Sequence, residues 1–282
     1  MSAEDVQETL FFPLLGRAEA SHRWPALFHD EWAHTAEEIA AVEGTTATSM
    51  GTIPAVVYGL RRRLTVAEIL RYLDRRPGAA VVNIGCGLDR LGPDLGDAGA
   101  ASTIYNLDFP EVLATRERWI GTAPNEVDLP FSVTDHAWMD RVDASRGLIA
   151  VAAGVFYYLE VDAVRALIAA MAERFPGGRL VYDSESPRVI RRSEASVRKS
   201  GVADAPMPFK VDDPLIVRDW SERISEVRVE FDFTSYLPAG ARRSLPLGAR
   251  AFFATMRRIR GMYVVVVDFV PDSSAPHRRA ED

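Results

Sequence analysis

Between Val81 and Leu91 the chain reads VVNIGCGLDRL, a β-rich run that breaks into Gly85, Cys86 and Gly87 and then Asp89. A Gly-x-Gly turn at the carboxyl end of a parallel strand clears side chains from a ligand's path, so main chain can approach an adenosyl group closely. Asp108 closes the next β-rich run, in IYNLDFPEV, 21 positions after Gly87. An acid about 20 residues beyond such a turn can accept hydrogen bonds from ribose hydroxyls. The spacing also suits a dinucleotide, but the third glycine of G-x-G-x-x-G is replaced here by Arg90, which leaves no pyrophosphate turn. By itself the glycine turn is weak evidence, because tight turns use glycine for steric reasons. Cys86 reads as a small residue of the turn rather than a nucleophile.

The surrounding chain supplies elements able to hold such a site. Strands are predicted at 80–84, 103–107, 147–152 and 179–183, with a weaker one at 131–134, and helices at 62–75, 110–119 and 160–175. This alternation implies right-handed crossovers and a mostly parallel sheet. Further on, 227–234 and the valine-dense 262–270 read as an antiparallel pair separated by a helix at 248–259. The first sixty residues are helical in pattern, with Leu10, Phe11, Leu14, Leu15, Trp24, Leu27, Phe28 and Trp32 at spacings of three and four, and read as a cap. The expected division is a helical cap and lid region at 1–60, a Rossmann-like domain at 61–271 and a disordered tail at 272–282. The Thr-, Ser- and Gly-rich segment 43–51 reads as a loop or lid hinge, and the basic run from Ser186 as a solvated helix.

Bulk properties narrow the class. At 282 residues and 48% apolar, the chain can bury a sizeable core. A net charge of -7 argues against nucleic acid, whose binding needs clustered Lys and Arg. One cysteine cannot form an internal disulfide, and no Cys/His spacing resembles a zinc site, so neither a structural metal nor an oxidising compartment is expected. The acidic amino terminus and the short apolar run 148–159 give no secretory signal or spanning segment. The expectation is a cytoplasmic protein with a small-molecule substrate and no membrane or nucleic-acid partner, for which a homodimer is admissible.

Taken with ETLFFPLLGRAEASHR, SVTDHAWMDRV, GVFYYLEVDAVRALIAAMAERFPGGRLVYD and PFKVDDPLIVRDW, the run VVNIGCGLDR and YNLDFPEV resembles the family joining leucine carboxyl methyltransferases with tetracenomycin-type polyketide O-methyltransferases. The likeness covers roughly 8–220. It implies a class I methyltransferase fold, mostly parallel with an antiparallel strand near the carboxyl end, and S-adenosylmethionine as cofactor, released as S-adenosylhomocysteine. By that resemblance Arg61 matches the arginine that holds the cofactor's methionine carboxylate, although in an RRR run a salt bridge is the commoner fate. Gly85, Cys86, Gly87 and Asp89 match the turn below the amino-acid moiety. Asp108 and Phe109 match the ribose position, Asp135 and His136 the adenine position, and Ala153 and Gly154 the end of the fourth strand. Tyr158, His136 and His22 are the candidate catalytic groups.

Two departures stand out. The family's GLDTR is GLDR here, and its glutamate before the fourth-strand glycine is Ala153. The implied function is O-methylation of a carboxyl or hydroxyl on a small polyketide-like natural product. The alternative is a methyltransferase fold that has given up methylation and catalyses a cyclisation or binds a ligand, its cofactor structural or absent.

Overall fold

The computed structural model describes residues 3–42, 50–199 and 206–272. The segment 43–49 and the tail beyond Asp272 therefore lie outside the described residues, and with them most of the expected lid hinge and the expected disordered tail. Three helices come first: α1 (Ala3–Arg23), α2 (Glu31–Val42) and α3 (Thr52–Arg75). Strands β1 (Ala80–Ile84), β2 (Ile104–Asp108), β3 (Glu126–Pro130), β4 (Leu148–Ala152) and β5 (Arg179–Glu185) then alternate with α4 (Gly92–Ala100), α5 (Pro110–Trp119) and α6 (Val161–Arg174). The chain finishes with α7 (Pro187–Lys199), β6 (Ile224–Glu230), α8 (Leu247–Arg258) and β7 (Met262–Phe269).

The seven strands form one sheet in the order β3-β2-β1-β4-β5-β7-β6. The first five run parallel, and β7 is inserted antiparallel between β5 and β6. All of β1 and β4 is buried, because both sheet faces are covered and alternate side chains enter different cores. Val82, Ile84, Ala150 and Tyr182 join α6 and Trp138 on one face, while Val81, Ile149, Val151 and Val181 join Leu60, Leu64 and Tyr72 of α3 on the other.

Four sequence expectations need correction. The edge strand is 126–130 rather than 131–134: its Glu126 and Asp128 look unlike a strand, yet Arg116 and Asn106 hold their carboxylates. Helix α3 begins ten residues before the expected start at 62, with Pro54 tolerated in its first turn and Gly59 packed so tightly under Phe28 that a Cβ would stand 2.7 Å from the ring. It runs unbroken across 60–61, so the cap and the sheet share an element. Helix α4 is a missed element, its GPDLGDAGA sequence being poor in helix formers and kinked at Gly96. In the last third, 233–236 leaves the β6 strand as a short 3-10 turn.

Candidate active site

The order of connections reverses between β1 and β4, the position at which open α/β sheets leave a crevice beyond their carboxyl ends. Three glycines line that rim in the left-handed region: Gly85 (φ +61), Gly87 (φ +50) and Gly154 (φ +75). At Gly85 a Cβ would stand 2.5 Å from Val155 Cγ2, so the turns after β1 and β4 touch where only glycine fits. The turn is anchored by Gly85 N, which donates to Leu107 O at 2.8 Å.

Asp108 ends β2 beside this turn. Its Oδ2 accepts from Gly87 N and its Oδ1 from Phe109 N, each at 2.8 Å. Burial pushes its carboxyl above the usual range, and the two amides and distant Arg116 only partly oppose that. Among the described residues no ion pair reaches it. A partly buried carboxylate with no cation beside it and lone pairs to spare is suited to accept from hydroxyl donors.

Arg61, midway along α3, makes the salt bridge that its sequence context favours, but a buried one. Its Nε donates to Asp183 Oδ2 at 2.9 Å and its Nη2 lies 2.8 Å from the same oxygen. Asp183 Oδ1 accepts from Gly154 N at 2.7 Å, and Tyr157 Oη donates to Oδ2 at 3.2 Å. Arg61 Nη1 takes no protein hydrogen bond among the described residues and faces Gly154, where a Cβ would be 3.2 Å away. The guanidinium thus keeps one edge for an anion over a bare turn. Burial alone would lower its pKa, but Asp183, Tyr157, Tyr58 and Glu185 together outweigh that and raise it.

The shortened GLDR loop is pinned by arginines. Asp89 Oδ1 accepts from Arg17 Nη1 of α1 at 2.7 Å and Oδ2 from Arg62 Nη1 of α3 at 2.8 Å, while Arg116 Nη1 donates to Asp89 O. Arg62 also donates to Asp94 and to Arg90 O. Burial raises the Asp89 pKa, but Arg17 and Arg62 outweigh it and hold the carboxyl well below the usual range. Its carboxylate therefore fastens cap to loop. The half-buried Arg90 guanidinium lies over Trp32, 5.9 Å from the ring centroid, and Trp32 Nε1 donates to Leu88 O at 2.8 Å.

The remaining sequence candidates fall in different surroundings. Cys86 is buried, and burial pushes its thiol far above the usual value, which suits a packing residue. Phe109 is 54% exposed at the crevice rim. Asp135 caps a 3-10 turn by accepting from Ala137 N, and half-buried His136 begins that turn. Ala153 is exposed at the end of β4, where the family has a glutamate. Asp183 lies one strand over, one position beyond the last β4–β5 pair of Ala152 with Tyr182. Tyr158 is 54% exposed, and its phenol pKa is raised, chiefly by desolvation and by Tyr58. His22 has both side-chain partners, Glu37 and His34, on α2. The cap aromatics Phe11 and Phe28 are core residues, buried against Leu88 and Gly59 respectively.

Sequence reading missed Tyr58, Asp183 and Glu185. The Arg61 guanidinium lies 5.5 Å from the Tyr58 ring centroid. Burial pushes Glu185 above the usual carboxylate range, with Arg61 and a Ser193 hydrogen bond opposing it. The available signal was the Asp-x-Glu spacing at a strand end, which puts both acids on one sheet face.

A sheet of order 3-2-1-4-5-7-6 with its seventh strand antiparallel, carrying glycine turns and an acid at the switch point, is the class I methyltransferase fold. The chain belongs to the leucine carboxyl methyltransferase family, whose model matches residues 13–172. It is 26% identical over 126 residues to the tetracenomycin polyketide synthesis O-methyltransferase TcmP of Streptomyces glaucescens, a match covering 45% of this chain and 46% of that protein. The aligned region thus spans about half the length of that relative. A Thermobifida fusca protein described as a methyltransferase superposes with a TM-score of 0.58 at 14% identity, covering 93% of this chain and 94% of its own. A DUF574-family protein of Streptomyces avermitilis also gives 0.58, at 12% identity over 86% and 91%. The plantazolicin methyltransferase BamL, solved with S-adenosylhomocysteine, gives 0.52 at 10% identity over 94% and 99%. Among the described residues no helix is long and apolar enough to cross a membrane.

Proposed function

We propose that this protein is an S-adenosylmethionine-dependent O-methyltransferase acting on a carboxyl or hydroxyl oxygen of a small, largely apolar natural product of polyketide type. The observation that carries the reading is the Asp108 carboxylate, without an ion-pair partner among the described residues, beside the bare turns at Gly85, Gly87 and Gly154. These residues fit the cofactor. Asp108 would accept from the ribose hydroxyls, the glycine main chain would lie under the amino-acid portion, and Arg61 Nη1 would hold the carboxylate. Cys86, Asp89 and Ala153 shape the walls, and Phe109, Asp135 and His136 border the nucleoside side. When bound, S-adenosylmethionine supplies an electrophilic methyl group on its sulfonium.

The acceptor side draws on exposed aromatic surface at Phe109 and Tyr158, which suits an apolar ring system. The polyketide assignment is also supported by the described role of the Streptomyces glaucescens relative. A carboxylate acceptor needs no base. For a phenol, Glu185 is the proposed base, since burial raises its pKa and makes its carboxylate a stronger proton acceptor than an ordinary glutamate. Tyr158, a phenol whose pKa is raised from its ordinary value, donates a hydrogen bond to the acceptor instead.

Calorimetric titration with S-adenosylmethionine, followed by mass spectrometry of candidate aromatic polyketides for one added methyl group, tests the proposal. Binding with transfer supports it. Binding without transfer to any acceptor favours the non-methylating alternative that Ala153 raises, and absence of binding overturns it.

A further inference from the structure

His22, near the end of α1, faces His34 and Glu37 of α2. His22 Nε2 lies 3.1 Å from Glu37 Oε2 and 3.1 Å from His34 Nδ1, and the three ligand-type atoms all fall within 4.8 Å of one another. The edge of a tetrahedron around zinc with bonds of about 2.0–2.1 Å is about 3.3 Å, so two of the contacts already have the length that one shared cation imposes. His34 and Glu37 are three apart on α2, which puts them on one helix face.

One tautomer of His34 suits metal binding. Ser21 Oγ already accepts from Asp30 N at 3.3 Å and lies 3.1 Å from His34 Nε2. In the tautomer whose Nε2–H donates to Ser21, the His34 Nδ1 lone pair points at His22. A ligating histidine whose second nitrogen is anchored by a hydrogen bond is the usual supporting arrangement in metal sites. In that tautomer His22 Nε2, with only one in-plane valence, faces both an imidazole lone pair and a carboxylate. A single proton there must be split between two acceptors, whereas a divalent cation satisfies all three groups at once.

We propose that His22, His34 and Glu37 form a binding site for a divalent transition metal, zinc being the best match, which joins α1 to α2 in the cap. Two imidazoles and one carboxylate favour zinc and its neighbours over magnesium or calcium, which take oxygen ligands. With three protein ligands, the fourth position is left to solvent. The site shares no residue with the glycine turns, Asp108 or Arg61, so it stands whether or not the methyl-transfer reading does.

The test uses the untagged full chain, stripped with chelator and dialysed, titrated with zinc against a chromophoric chelator and separately with cobalt(II) under visible spectroscopy. The expected result is one equivalent of zinc and the ligand-field bands of four-coordinate cobalt. His34→Ala and Glu37→Gln should each lose more than about tenfold in affinity, and Ser21→Ala about tenfold through the anchoring hydrogen bond. His29→Ala and His136→Ala should leave affinity unchanged. Glu37→Gln keeps the side chain's shape, and circular dichroism in chelator shows that each variant is folded. Binding that is absent or non-stoichiometric, or that survives both His22→Ala and His34→Ala, overturns the site and leaves a hydrogen-bonded histidine pair only.

Discussion

The Arg61 guanidinium and the Asp183 carboxylate meet between the middle of α3 and the end of β5, with Nε and Nη2 at 2.9 and 2.8 Å from one oxygen. Through Asp183 Oδ1 the same pair holds Gly154 N, so one carboxylate sets both the turn after β4 and the direction of the arginine. The proposed carboxylate-binding edge of Arg61 is thereby fixed before any ligand arrives.

Removing one partner of this pair should be costly. With side-chain exposures of 17% and 1%, Asp183→Ala should lower stability by about 3–5 kcal/mol, because a buried guanidinium loses its counter-charge. Urea denaturation measures this. Arg61→Met combined with Asp183→Leu should recover most of the loss, and additive losses would contradict the assignment.

Asp108→Ala should weaken S-adenosylhomocysteine binding by about 1.5–3 kcal/mol in calorimetry, the range for hydrogen bonds to a charged group. Asp108→Asn keeps an acceptor for Gly87 N and should lose a similar amount if charge matters. Because burial raises the Asp108 pKa, wild-type affinity should fall with decreasing pH at higher pH than an ordinary aspartate would give. Equal affinities in all three proteins would place the ribose elsewhere.

Asp89→Asn should loosen the cap, visible as faster hydrogen exchange of α1 and α2 amides. Since the folded Asp89 pKa is depressed below its unfolded value, the carboxylate's stabilisation is complete above the ordinary aspartate pKa of about 3.9 and is lost as pH falls toward the folded value. The stability advantage of wild type over the variant should therefore shrink as pH is lowered from about 5 to about 3. A constant difference across that window would show that Asp89 titrates normally.

Glu185→Gln should reduce kcat on a phenolic acceptor by about 10²–10⁴-fold while leaving S-adenosylhomocysteine affinity near wild type. The wild-type rate should rise with pH along a limb set by the raised Glu185 carboxyl, and that limb should vanish in the variant. Survival of the limb would transfer the base role to another group.

Much of the sheet could be read in advance because β4 is a continuous apolar run and β1 and β7 are interrupted only by Asn83 and Asp268, and Pro110 and the PGG after α6 punctuate their helices. Edge strand β3 was misplaced and α4 missed, since neither carries its own local signal: Glu126 and Asp128 sit in a strand only because Arg116 and Asn106 hold them, and α4 is a glycine-rich helix packed against α3. Gly85, Gly87 and Asp108 were equally legible, because turn chemistry is local and their spacing is that of one crossover.

By itself the sequence determined the family, the alternation of elements and the glycine-and-acid signature, all properties of local composition and order. The tertiary structure alone decided that Arg61 is paired with Asp183, that Asp89 binds the cap, and that His22 belongs with His34 and Glu37. Those pairings span 122, 72 and 12 to 15 positions. Which charge meets which over such distances is settled by how helices pack on the sheet, where burying an unpaired charge costs more than any local preference can return.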